Sequence, residues 1–126
     1  MYLFARLSTD FEVEVVPGVS SVMACAARAG LPLAARNERL TVLPGPLPEN
    51  ELRLRIEGAE SVAIMKVGRH LPKIRGVIKA LGYSKEAIYV ERASLAEEKI
   101  CPLADAPETA PYFSMILLTK GADPWL

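Results

Sequence analysis

Pro17-Gly18-Val19-Ser20-Ser21, then Ala24-Cys25-Ala26-Ala27, then Ala29-Gly30-Leu31-Pro32-Leu33, is the stretch whose types and spacing first suggest chemistry. Pro-Gly breaks an extended run, Ser20 or Ser21 offers a hydroxyl to cap a following helix, and Gly30 stands where a helix closes. A helix start exposes unpaired N–H groups and the positive end of the dipole, which suits a carboxylate or a phosphate. The same pattern also makes a plain capped helix. Lys66, Arg69, His70, Lys73 and Arg75 form a second cluster, at the end of an apolar run. Cations there suit carboxylates, Arg through its paired N–H groups, although a solvated helix face looks alike. His70 is the one His, and no Cys or carboxylate spacing around it makes a triad or a metal site. Glu91-Arg92 and Glu97-Glu98-Lys99 read as surface pairs of small weight. No nucleophile elbow, phosphate loop or paired-carboxylate pattern is present.

These residues need elements to position them. Leu3, Phe4 and Leu7 give residues 2–9 the stripe of a short amphipathic helix, and residues 12–16 alternate acid and valine like a half-buried strand. Residues 22–29 are a helix of small side chains, able to lie close to a neighbour. Further strands are expected at 40–43, 61–67, 87–91, 98–101 and 112–119, with helices at 49–57 and after Pro72. Residues 61–67 are apolar nearly throughout, which predicts burial on both faces. Three prolines within 44–48 make a rigid loop. Strands alternating with helices predict an α/β fold, a mixed, largely parallel sheet flanked by helices.

The chain has 126 residues, 51% of them apolar, and 15 basic against 15 acidic side chains. Zero formal charge leaves no bulk source for nucleic-acid attraction, and no apolar run approaches the ~18 residues that span a bilayer. Cys25 and Cys101, widely separated, read as small buried hydrophobes of a reduced compartment, which predicts a cytoplasmic protein. A helix opening at residue 2, with nothing before it to pack on, predicts a truncated chain.

The residues from Pro17 to Leu33 resemble the inter-domain segment of the tetrapyrrole methylases, the S-adenosylmethionine-dependent enzymes of corrin and sirohaem synthesis. Within that family, M-Y-L-F-A-R-L-S-T-D-F-E-V-E-V-V-P at the start, A-I-M-K-V-G-R-H-L-P-K-I from Ala63 and Y-F-S-M-I-L-L from Tyr112 resemble the branch that methylates C20 of precorrin-2. The resemblance covers essentially the whole chain, in order. It implies a two-domain, typically homodimeric enzyme that binds donor and tetrapyrrole between its domains, with no nucleic acid and no membrane involved. Residues 1–16 would be the last helix and strand of the N-terminal domain with a linker, and 17–126 the C-terminal domain. The N-terminal domain's glycine-rich donor loops are absent, so the isolated chain is expected to be inactive.

By position, the resemblance gives Ser20, Ser21, Met65 and Ala93 to the donor. With a precorrin as the implied substrate, the basic run gives Lys66, Arg69, His70 and Lys73 a candidate role on its carboxylates through their charge. No catalytic side chain and no metal ligand is assigned, because a sulfonium methyl is already activated and alignment is the protein's main task. The cobalt-loaded substrate of the anaerobic route is an open alternative. Another is a non-catalytic α/β module for self-association or ligand binding, using residues 112–119 as an apolar sheet edge.

Overall fold

The computed structural model describes residues 2–121. Residues 1 and 122–126, parts of the two expected domains, lie outside the described residues. Among the described residues there are four α-helices: α1 (Tyr2–Leu7), α2 (Ser21–Ala29), α3 (Glu49–Glu57) and α4 (Leu71–Ala80). Five strands, β1 (Leu40–Pro44), β2 (Ser61–Met65), β3 (Ala87–Glu91), β4 (Lys99–Pro102) and β5 (Ser114–Thr119), make one sheet in the order β1-β2-β5-β3-β4.

Sequence chemistry accounts for the helix ends. Ser20 caps α2, its side chain accepting from the Met23 N–H at 3.3 Å. Gly30, at φ 65°, closes the helix in the left-handed conformation, its N–H returning to the carbonyls of Ala26 and Ala27. Pro72 sits in the first turn of α4, where its missing N–H costs nothing.

The helices cover the two faces unequally. On one face α3 and α4 bury Leu52, Ile56, Ile74 and Ile78 against Val62, Ile64, Ile116 and Leu118. On the other, Cys25 and Ala26 of α2 pack on Ala63, Val90, Met115 and Leu117. Small side chains let α2 lie against the sheet, as the sequence predicts. β2 is accordingly buried on both faces.

The sheet is mixed, but its weighting differs from expectation. Only β1 and β2 pair in parallel; β2–β5, β5–β3 and β3–β4 are antiparallel. The reason lies after β3, where no full helix returns the chain. β4 runs back beside β3 until Pro102 pairs with Ile88, and residues 103–113 then climb past α4 to the carboxyl end of the sheet. β5 therefore enters from that end and runs downward between β2 and β3. Residues 112–119 are thus no sheet edge: the strand begins at Ser114 and lies at the centre. The edges are β1 and β4. The expected strand at 12–16 is also absent; the segment has no regular secondary structure, is mostly exposed and has no partner strand among the described residues, so its alternation builds no ladder.

Ile64, with 0% exposure, should tolerate truncation poorly, whereas Leu54, 68% exposed on α3, should tolerate it well. Ile64→Ala is expected to cost about 2–5 kcal/mol in urea denaturation, and Leu54→Ala less than about 0.5 kcal/mol.

Candidate functional site

Where β2 and β3 end and β5 begins, three loops and the start of α2 surround a cleft of about 380 Å³. That size and place are typical of ligand sites in α/β sheets, beyond the carboxyl ends of strands. α2 contributes Ser21, Ala24 and Cys25, and β2 contributes Met65 followed by Lys66. The turn after β3 supplies Arg92, Ala93 and Leu95, and the entry to β5 supplies the remaining wall from Tyr112 to Met115.

The walls are tied together by a few polar contacts. The buried Ser114 donates its hydroxyl to the Pro111 carbonyl at 2.7 Å and accepts the Gly68 N–H at 3.3 Å. It thereby joins the β5 entry to the turn after β2. The Arg92 N–H donates to the Phe113 carbonyl at 2.8 Å. Glu98 closes the turn after β3 by accepting the Ser94 N–H at 2.6 Å, and it receives Arg28 of α2 through Nε and Nη2, the shorter contact being 2.6 Å. This carboxylate, expected in a surface or strand-end pair of small weight, links α2 to the turn after β3.

Gly45 braces the turn at Lys66. Its N–H donates to the Met65 carbonyl at 2.7 Å, and a Cβ there would stand 2.7 Å from the Lys66 carbonyl oxygen. The Pro44-Gly45-Pro46 loop therefore fits only with glycine at its centre, because the opposing atom is backbone.

The expected site residues divide. Ser21, Met65, Lys66 and Ala93, distant in sequence, line the one cleft. Ser20 lies beside it as the cap of α2. Arg69, His70 and Lys73 follow on the 3-10 turn Gly68–His70 and on α4, outside the lining. The Lys73 ammonium donates to the Leu47 carbonyl, and Arg75 holds the carbonyls of Ala106 and Pro107 at 2.8 and 2.6 Å. His70 is pushed down from its ordinary value, by loss of hydration and then by Lys73 and Arg69.

Cys25 and Cys101 are both free thiols raised above the ordinary value mainly by burial, so neither is a ready nucleophile at neutral pH. The Tyr89 phenol is raised as well, by burial first and then by its 2.8 Å hydrogen bond to Glu91. Among the described residues no group of three His, Cys, Asp or Glu is placed to hold a metal, and no helix is long and apolar enough to cross a membrane.

The family model described as Tetrapyrrole (Corrin/Porphyrin) Methylases matches residues 1–107. The chain belongs to the tetrapyrrole methylases. It is 44% identical over 124 residues to a precorrin-2 C(20)-methyltransferase of Sinorhizobium sp, covering 98% of this chain and 51% of that protein. It is 31% identical over 123 residues to a cobalt-precorrin-2 C(20)-methyltransferase of Salmonella typhimurium, covering 95% and 52%. Among solved structures, the uroporphyrin-III C-methyltransferase of Thermus thermophilus complexed with S-adenosylhomocysteine superposes with a TM-score of 0.60 at 27% identity, over 92% of this chain and 56% of that one. The chain thus spans about half the length of these relatives.

Sequence reasoning missed the second cation of the cleft, Arg92, and the aromatic rim of Tyr112 and Phe113, whose rings meet edge-on at 5.2 Å. Arg92 directly followed the strand predicted at 87–91, but its neighbour Glu91 gave it the look of a surface pair.

Gly45→Ala is expected to cost about 1–3 kcal/mol in urea denaturation, the usual toll of forcing bulk into a packed place. The link through Glu98 should depend on pH. Contacts with Arg28 and then Ser94 lower its carboxyl from 4.5 to about 2 in the folded protein. Because the folded value lies below the ordinary one, the contribution is complete above pH 4.5 and is lost as pH falls through about 2. Thermal melts across that window should show Glu98→Gln less stable than wild type at its upper end, and the gap closing toward its lower end.

Proposed function

We propose that this chain is the C-terminal part of an S-adenosylmethionine-dependent methyltransferase that acts on C20 of precorrin-2 in cobalamin synthesis. The observation that carries the reading is the meeting of Ser21, Met65 and Ala93 in one cleft at the carboxyl ends of β2 and β3, in a chain 44% identical to a precorrin-2 C(20)-methyltransferase. Residues 1–16 would then belong with an N-terminal domain and 17–126 form the C-terminal one. Exposure of Tyr2, Leu3 and Phe11 supports a further domain covering this region, since α1 buries none of its own side chains.

The cleft suits the donor. Its lining is mostly apolar through Met65, Ala93, Leu95 and Phe113, which fits an adenosine, and the Ser21 hydroxyl adds a hydrogen-bonding group. When bound, S-adenosylmethionine would supply a methyl group on a sulfonium that is already a good leaving group. This chain's residues would hold the adenosine, exclude water and set the approach of the macrocycle, whose carboxylates meet cations beginning at Lys66. Arg69 and His70 stand next along the chain from Lys66, while Lys73 already serves Leu47. Methyl transfer to C20 also releases the proton that C20 carried, and no side chain of this chain is assigned to accept it.

The cobalt-loaded substrate is the second reading, favoured by the 31% identical relative and weighed against by the higher identity to the precorrin-2 enzyme. A self-association module without catalysis loses its expected surface, since β5 is central. Homodimer formation is compatible with the proposed activity and is supported by the edge strand β1, which leaves Leu40 and Val42 38% and 47% exposed. The two free thiols accord with a reducing, cytoplasmic setting.

Calorimetric titration of S-adenosylhomocysteine tests the proposal. Binding is expected to the longer enzyme and not to this chain alone, as a site shared between domains requires. Ala93→Leu in the longer enzyme should weaken it about tenfold or more, from bulk forced into a packed cleft. Absence of binding to both proteins would overturn the methyltransferase reading.

A further inference from the structure

Lys66 and Arg92 occupy matching places in the fold. Each is the first residue beyond a strand, Lys66 after β2 and Arg92 after β3, and each lines the cleft. Each also has positive φ, 56° and 48°, a conformation that glycine enters freely and long side chains rarely adopt. Both turns are braced. The Gly45 N–H takes the Met65 carbonyl at 2.7 Å, and the Arg92 N–H and carbonyl engage Phe113 and Leu95 at 2.8 and 2.9 Å.

Strained backbone persists where the surroundings impose it, and such positions cluster at ligand clamps. Their charges are also little engaged by the rest of the fold. Of the nearby cations, Arg28 binds Glu98, Lys73 the Leu47 carbonyl and Arg75 the carbonyls of Ala106 and Pro107, while Arg69 lies outside the cleft lining. The exposed Lys66 ammonium has no hydrogen bond or ion pair within the described residues, and Arg92 has a single contact, Nη1 to Glu91 at 3.2 Å. β5 alone separates β2 from β3, so the two backbones stand about 10 Å apart, two strand spacings.

We propose that Lys66 and Arg92 are a carboxylate-binding pair, held across the mouth of the cleft by left-handed turns at the ends of β2 and β3. The proposal rests on the function given above, which supplies carboxylates from two sources: the amino-acid end of the donor, and the acetate and propionate groups of the macrocycle. The pair would act on carboxylates while the apolar floor holds the rest of the ligand.

The test uses Lys66→Gly and Arg92→Gly, which remove the charge and relieve the backbone, and Lys66→Gln and Arg92→Gln, which remove the charge alone. All are made in the longer enzyme. The probes are S-adenosylhomocysteine, 5′-methylthioadenosine without the amino-acid end, and a stable porphyrin bearing acetate and propionate groups. The glycine variants are expected to melt at or above the wild-type temperature. Glycine and glutamine variants alike should lose about tenfold or more in affinity for a carboxylate ligand and keep wild-type affinity for methylthioadenosine. A loss confined to S-adenosylhomocysteine assigns the pair to the donor, and one confined to the porphyrin assigns it to the macrocycle. Wild-type affinity for both carboxylate probes in the variants overturns the pair and leaves the proposed function standing. Equal losses for methylthioadenosine, or lower melting of the glycine variants, overturn it by showing a structural role. If the wild-type enzyme binds none of the probes, the proposed function fails and the pair fails with it.

Discussion

β5 has to be hydrogen-bonded on both sides, by β2 and by β3, and buried on both faces, by α3 and α4 on one and α2 on the other. A strand so placed must be apolar throughout, and Met115-Ile116-Leu117-Leu118 meets that demand. Its downward direction then determines the rest of the architecture. β2 and β3 end at the level where β5 begins, so two strand-end loops and one entry loop converge on one point of the sheet. The cleft is the space these three loops leave beneath the start of α2.

That convergence explains why the polar contacts collect there. Loop backbone at the end of a sheet has lost its ladder partners and needs others. Ser114 serves Gly68 and Pro111, Phe113 accepts from Arg92, and Glu98 takes both Ser94 and Arg28. Three of these contacts, Ser114 with Gly68, Arg92 with Phe113 and Glu98 with Arg28, tie together segments that are distant in sequence. The floor between them stays apolar, with Met65, Ala93 and Leu95, so the cleft combines a hydrogen-bonded frame with an apolar floor. Such a surface suits chemistry in which the reagents carry their own reactivity and the protein supplies geometry.

Much of the molecule was legible in order along the chain. The capped helix of small residues, the glycine that closes it, the proline loop after β1, the apolar β2 and the amphipathic α4 all follow from periodicity and from Gly, Pro and Ser chemistry. Ser21, Met65, Lys66 and Ala93 were named as site residues through a family resemblance, and they do meet in one cleft. Arg69, His70 and Lys73 belonged to the same basic run, but a run along a chain turns around a helix, and the structure carries these three away from the cleft lining.

What the sequence by itself determined is local: which segments are apolar enough to be strands or helix faces, where they stop, and which family the motifs belong to. Strand direction and order were decided only in three dimensions. Pairing depends on how the chain returns, and a Pro- and Ala-rich return of residues 103–113 carries no mark of its direction. Segment 12–16 has the sequence pattern of a strand but no partner, and a ladder needs a second chain segment alongside. The left-handed turns at Lys66 and Arg92 were equally hidden, because nothing in a lysine or an arginine calls for positive φ. Packing around Gly45 and the β5 entry imposes it, and only the assembled sheet brings those neighbours together.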